Sequence, residues 1–214
     1  MNFGQAFTFI FDDKDWIKKA GYVALCQLIP ILGQFIAIGF SVEIMRRVIA
    51  NDPIPLPDFD FGDFLGKGFQ AFVITLVYSI PMLILILVMW IVSSTLPSMG
   101  NSDVSNVITF IVSVMFGGLA ILYGIFMAFI VPAALGRYAE TGTMGSAFQL
   151  GKVFSTVSKA FVPYLIAVLG AWIASIIAPL GTIVFGIGVV VTSTYCYAIS
   201  GHLYGQAYRQ AVLV

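Results

Sequence analysis

The chain has one histidine, His202, and the residues spaced around it are the first place to look for chemistry. Tyr195, His202, Gln206 and Arg209 fall at i, i+7, i+11 and i+14, which places them near one face of a helix. Such a stripe can anchor a helix end among lipid headgroups, with Tyr at the interface and Arg reaching past it. It can also line a polar pathway or ligand site inside a bundle, because polar groups within a membrane mark such sites. Glu43 with Arg46 and Arg47 forms a second group, spaced for i,i+3 and i,i+4 pairing on one helix. Arg137 and Glu140 repeat that theme at i, i+3. Neither pair has the spacing of a proton relay. The sequence offers no nucleophile with a positioned base, no glycine-rich phosphate loop and no cluster of metal-ligating residues. An enzyme is therefore not expected, nor is a cofactor or a metal. Cys26 and Cys196 both lie in apolar stretches and read as small buried hydrophobes.

The elements that must position these groups belong to a membrane. Of 214 residues, 60% are hydrophobic and 9% charged, whereas soluble domains carry about 25% charged residues. Ten basic residues balance ten acidic ones, so no basic field exists to gather a nucleic acid. A hydrocarbon core about 30 Å thick needs about 20 apolar residues per helix. Ala71–Val92 and Val107–Val131 meet that need, with a turn-forming loop expected at Pro97–Asp103. Phe161–Ala178 and Gly181–Ser200 are expected as a further pair, joined through Pro179-Leu180. The apolar run Phe7–Phe11 is too short, and too closely followed by Asp12, Asp13 and Asp15, to read as a signal peptide.

The segment 20–49 reads in two ways. It is long enough for one crossing, yet Pro30 and Gly33 interrupt it, and proline removes a backbone donor from a helix interior. The preferred alternative is a short hairpin, with Trp16–Ile29 entering and Gln34–Ile49 returning. Leu28-Ile29-Pro30-Ile31-Leu32-Gly33 resembles Ile177-Ala178-Pro179-Leu180-Gly181, the other turn. All ten basic residues then share one side, as the positive-inside bias requires of the cytoplasmic face. A single crossing would leave Lys14, Lys18 and Lys19 outside.

Repetition supports the hairpin. Leu65-Gly66-Lys67-Gly68-Phe69 precedes one helix pair and Leu150-Gly151-Lys152-Val153-Phe154 another. In the later stretch Ser146, Gln149, Lys152, Ser155, Thr156 and Lys159 form a polar stripe opposite Ala147, Leu150, Phe154, Val157 and Phe161. That is the pattern of an interfacial amphipathic helix. Phe3–Lys19 is its counterpart before the first hairpin. The linker from Asn51 to Asp58 is held extended by three prolines. Beyond it Phe59, Phe61 and Phe64 interleave with Asp58, Asp60 and Asp63, which suits a segment lying at headgroup level; the same acids as a cation site are the weaker reading. Gly201 and Gly205 make a G-x-x-x-G step that lets helices approach closely, within the chain in the favoured reading.

The order of several motifs resembles a polytopic membrane family of bacteria and archaea, domain of unknown function 4013. They are Asp13-Lys14-Asp15-Trp16-Ile17-Lys18-Lys19, Ile29-Pro30-Ile31-Leu32-Gly33, Arg46-Arg47, Pro55-Leu56-Pro57-Asp58 with Phe61-Gly62-Asp63-Phe64, Tyr78-Ser79-Ile80-Pro81, and His202-Leu203-Tyr204-Gly205-Gln206-Ala207-Tyr208-Arg209. Phe59 and Phe61 depart from it, standing where tryptophan is expected. The resemblance implies a membrane-integral fold and lends no activity.

The resulting expectation is a single all-α integral membrane domain over 1–214. It is a bundle of about six transmembrane or half-spanning helices in three hairpins, each preceded by an interfacial amphipathic segment, or five spans if 20–49 crosses once. Its parts are an interfacial segment (1–19), the hairpin or span (20–49), the Pro/Asp/Phe linker (50–69), a helix pair (70–137), an interfacial helix (138–159) and a second pair (160–209). The expected place is the cytoplasmic membrane, multi-pass with both termini inside. The expected role is a non-enzymatic scaffold or accessory subunit, with a small transporter or lipid-handling protein as the alternative. The expected partners are the lipid bilayer and a membrane protein or a second copy of the chain, with no nucleic acid.

Overall fold

A computed structural model describes residues 1–95, 102–183 and 188–213. Every regular element among them is helical: α1 (Gln5–Thr8), a 3-10 turn (Phe9–Asp12), α2 (Trp16–Cys26), α3 (Leu32–Ile49), α4 (Phe61–Thr95), α5 (Ser102–Thr141), α6 (Met144–Ala147), α7 (Leu150–Lys159), α8 (Phe161–Ile177), a 3-10 turn (Ala178–Ile183) and α9 (Gly188–Leu213). Among the described residues three helices are long and apolar enough to cross a membrane: Phe61–Thr95, Val104–Thr141 and Phe161–Ile183. The described residues thus form an all-helical structure with candidate membrane-spanning helices.

The chain forms two compact units, one of 1–74 with 129–214 and one of 75–128. In the first, the interruption at Pro30 and Gly33 splits 20–49 into α2 and α3. The break is a γ-turn in which Leu32 N–H donates to the Pro30 carbonyl at 2.8 Å, with Ile31 at φ 68° and ψ −59°. That conformation strains a β-branched residue. Gly33 comes next because a Cβ there would strike the Cys26 carbonyl. With 11 residues, α2 is about 16 Å long, too short to cross a bilayer.

Contacts fix how the remaining helices lie. Along α3 and α9, Gln34 meets Tyr197, Ser41 meets Gly201, Val48 meets Gly205 and Asn51 meets Arg209, so the two helices run parallel. α8 returns antiparallel to α9, with the Cys196 thiol on the Ala174 carbonyl at 2.9 Å. Among the described residues α9 is not one of the three long apolar helices: it carries Thr, Ser, Tyr, His and Gln along its length. Those groups are tolerated because α9 is the central helix, packed by α2, α3 and α8. The core beside it joins Phe9, Ile10, Ile36, Phe40, Ile44 and Phe64.

Several boundaries differ from the sequence expectation. The expected linker 50–69 is helical from Phe61 onward, because the Asp60 carboxylate accepts the Asp63 N–H at 2.9 Å and caps α4. Leu56, within the extended linker, is fully buried in the core. α5 continues to Thr141, so 138–141 belong to it and not to an interfacial helix. The remainder of that segment forms two helices rather than one, α6 and α7, and their inward residues Ser146 and Thr156 interrupt the expected polar stripe. Of the loop expected at Pro97–Asp103, 97–101 lie outside the described residues and Ser102 already opens α5. Within the expected span Gly181–Ser200, 184–187 lie outside them as well.

The second unit consists of the distal part of α4 and the proximal part of α5. Tyr123 donates to the Tyr78 carbonyl at 2.6 Å between them, in the turn preceding Pro81. Its other side chains are mostly exposed apolar groups such as Trp90, Phe110 and Ile121.

Candidate functional site

The predicted α9 stripe is drawn together, and its main partner is the N-terminal segment. The Tyr195 hydroxyl donates to the Phe7 carbonyl at 2.7 Å. The Gln206 side chain clamps Asn2, accepting its N–H at 2.7 Å and donating to its carbonyl at 3.1 Å. The same amide nitrogen lies 3.0 Å from His202 Nδ1, and the imidazole stacks on Phe9 with ring centroids 4.4 Å apart. Arg209 donates to the Asn51 side chain at 2.5 Å. Each of these bonds satisfies a polar group of the chain itself, and the aromatic contact seals the histidine, which is 3% exposed. Beside the clamp lies an open recess of about 590 Å³, lined by Asn2, Gln5, Asp52, His202, Gln206 and Arg209.

This arrangement makes a local prediction. Tyr195→Phe combined with Gln206→Ala removes the three hydrogen bonds from this stripe to the N-terminal segment, each worth about 0.5–1.5 kcal/mol. Amide exchange over residues 5–12 should accelerate at least tenfold while α3 and α8 keep their protection. Unchanged exchange at 5–12 would show that the stripe does not hold the segment.

Glu43 sits in a denser network. Its carboxylate, 4% exposed, meets Arg46 at 2.5 and 2.8 Å, Arg47 at 3.2 Å and Lys67 at 2.5 Å. Lys67 also pairs with Asp63 at 2.6 Å, which ties the network into the first turn of α4. Glu43 lies on α3, outside the three spanning helices. Burial alone would push its carboxyl up, but the hydrogen bonds and charges of Arg46 and Lys67 overcome that and hold it at about 2. The sequence pointed to the two arginines on the same helix; Lys67, 24 residues away, could not be read from spacing. A separate cation, Lys19, joins Asp13 at 2.7 Å to Asp58 at 3.0 Å. The linker acids therefore go separate ways: Asp58 to Lys19, Asp60 to a helix cap, Asp63 to Lys67.

The expected pairing of Arg137 with Glu140 is replaced by other bonds. Arg137 donates to the Ser146 carbonyl at 3.1 Å and to the Gln149 side chain at 3.0 Å, securing α6 against α5. Glu140 instead accepts the Tyr208 hydroxyl at 2.6 Å. One polar cluster had no counterpart in the sequence pattern. Gln27, at the end of α2, donates to the Val190 carbonyl at 3.2 Å and to Thr194 at 2.5 Å, and accepts from Ser193 at 2.7 Å. The signal was a lone glutamine in an apolar run, opposite hydroxyl residues 166 and 167 positions away. Gly201 lies against the Ser41 backbone and Gly205 against Met45 and Val48, so this step brings α9 onto α3.

Among the described residues no group of three His, Cys, Asp or Glu side chains could hold a metal ion. No curated protein and no solved structure matches this chain. A family model does match, over residues 22–193, from within α2 to within α9, and so takes in the Glu43 network and both proline-containing turns. The chain belongs to the family described as protein of unknown function (DUF4013).

Proposed function

We propose that this chain is a non-enzymatic integral protein of the prokaryotic cytoplasmic membrane that serves as a scaffold or accessory subunit of a membrane complex. The observation that carries the reading is the use to which its polar side chains are put. Tyr195, Gln206 and Arg209 hold the chain's own N-terminal segment and linker, and Glu43 braces α3 against α4. The apolar area left over, on the distal part of α4 and the proximal part of α5, is available to lipid and to a neighbouring helix.

In this reading α2–α3 and α8–α9 enter as hairpins. Their turns expose Leu28, Ile29 and Ile31 in one case and Leu180 and Ile183 in the other, side chains suited to hydrocarbon. Gln27 bonds the end of α2 to the start of α9, which supports placing both turns at one depth. The basic residues at the opposite ends, Arg46, Arg47 and Arg209, then face the cytoplasm with both termini.

The test is native mass spectrometry of the protein gently extracted from its own membrane. A stoichiometric protein partner is expected. The second reading, a small transporter or lipid-handling protein, is favoured by the recess of about 590 Å³ beside His202. A chain without a protein partner that retains a defined small molecule, lost in His202→Ala, would replace the scaffold reading with that one.

A further inference from the structure

A second recess, of about 360 Å³, opens where α5, α7 and α9 meet. It gathers Arg137 from α5, Lys152 and Lys159 from α7, and Tyr208 from α9, with Ser155 and Thr156 between the lysines. We propose that it binds the phosphate headgroup of an anionic phospholipid. The inference needs only the membrane-spanning helices and is independent of the scaffold reading.

Charge is the first argument. Three cations face one carboxylate, Glu140, which already accepts the Tyr208 hydroxyl. Lys19 and Lys67 are each neutralised by two acids, yet Lys152 and Lys159 make no ion pair among the described residues. The two lysines are two helical turns apart, about 10 Å, and lie on one face of α7 with Ser155 between them. Arg137 is fixed in place by its bonds to Ser146 and Gln149. The result is a preset cationic cradle with hydroxyl groups at its floor.

Depth is the second. Arg137 lies one turn before the end of the spanning helix α5, and α8, also spanning, starts two residues after Lys159. A recess at the polar ends of two spanning helices stands at the level of lipid phosphates, where basic pockets take anionic headgroups.

The choice of lipid over free phosphate comes from the neighbouring face. α7 turns Val153 and Thr156 inward, and leaves Leu150 and Phe154 55% and 49% exposed beside the lysines. Phe161 continues this apolar edge onto α8 and stacks on Phe129 at 5.4 Å. A ligand with a phosphate and acyl chains fits both surfaces; a bare anion uses only one.

The full chain, exchanged into mild detergent, is titrated with equimolar phosphatidylglycerol and phosphatidylcholine, and bound lipid is read by native mass spectrometry. Wild type should retain phosphatidylglycerol preferentially. The double variant K152Q/K159Q should lose at least fivefold of that preference, and the single exposed change Ser155→Glu should do the same through repulsion. K14Q/K18Q, which removes two charges elsewhere, should retain it. The proposal is overturned if wild type shows no preference, if K14Q/K18Q loses as much as K152Q/K159Q, or if Ser155→Glu binds as wild type does. Displacement of phosphatidylglycerol by excess inorganic phosphate would overturn the lipid assignment and leave a phosphate site.

Discussion

Glu43→Ala should destabilise the protein by about 3–5 kcal/mol, the usual cost of removing one partner from a buried ion network. The carboxylate is the only acid among the described residues that faces Arg46, Arg47 and Lys67 together. Its loss leaves three cations on the α3–α4 contact with only Asp52 and Asp63 nearby, both on the rim. Glu43→Gln keeps the volume and two acceptor lone pairs but not the charge, so its effect should be smaller and of the same sign. Thermal unfolding in detergent, followed by loss of helical signal, measures both. A melting temperature for Glu43→Ala equal to wild type would mean that the network is solvated in the membrane-bound protein and braces nothing. This outcome also bears on function, because a carboxylate serving only as a transport site could be replaced by glutamine without loss of fold.

The same group gives stability a pH dependence. Its carboxyl is held below the ordinary 4.5, at about 2, so the folded state favours the ionised form. A depressed carboxylate contributes stability that is present above pH 4.5 and is lost as the pH falls towards 2. The displacement corresponds to about 3 kcal/mol, of the same order as the alanine cost. Wild type should therefore lose stability more steeply than Glu43→Gln between about pH 5 and pH 2. Asp13, also lowered by Lys19 against the effect of burial, contributes a background common to both proteins. Parallel curves would remove Glu43 from the acid response.

Legibility followed the range of the interaction. The long apolar helices needed only composition and a length of about 20 residues. The break at Pro30 and Gly33 was visible because proline acts on its own backbone, through a missing donor and a fixed φ. Caps were within reach: Asp60 with Asp63 three residues on was legible as a helix start, but the alternation of Phe and Asp suggested a headgroup-level segment instead. The stripe Tyr195–Arg209 was found because it repeats on one helix, while its partners Asn2, Phe7 and Phe9 were not, since about 190–200 residues separate them from it. The expected span Gly181–Ser200 lies partly outside the described residues, and the part of it within α9 carries hydroxyl residues whose surroundings spacing could not supply. Whether a hydroxyl-rich helix meets lipid or protein depends on its neighbours, and α3 and α8 are specified elsewhere in the chain.

Gly39→Ala should be strongly damaging, and Gly66→Ala should help. A Cβ at Gly39 would fall on the Phe64 carbonyl, and a Cβ at Gly68 on the Phe35 carbonyl, so α3 and the first turns of α4 touch backbone to backbone from both sides. A side chain in the way could change rotamer, but a helix carbonyl is fixed by its own hydrogen bond, so the helices must separate. Overpacking costs about 1–3 kcal/mol when side chains can yield and more when backbone must move. Separation would also stretch the Lys67–Glu43 bridge, which spans the same crossing. Gly66 stands between these positions in sequence with nothing within 4 Å of its would-be Cβ. There alanine removes only the helix cost of glycine, a gain of about 0.8–1 kcal/mol. Unfolding of Gly39→Ala, Gly66→Ala and Gly68→Ala in one detergent should rank Gly66→Ala above wild type and the other two at least about 3 kcal/mol below it, a floor set by the backbone clash. Equal stabilities at Gly39 and Gly66 would refute the close crossing and release Glu43 from its role as its brace. The comparison is informative because Gly66 and Gly68 flank a single lysine within the same turn of α4. They differ in the surface each presents to α3.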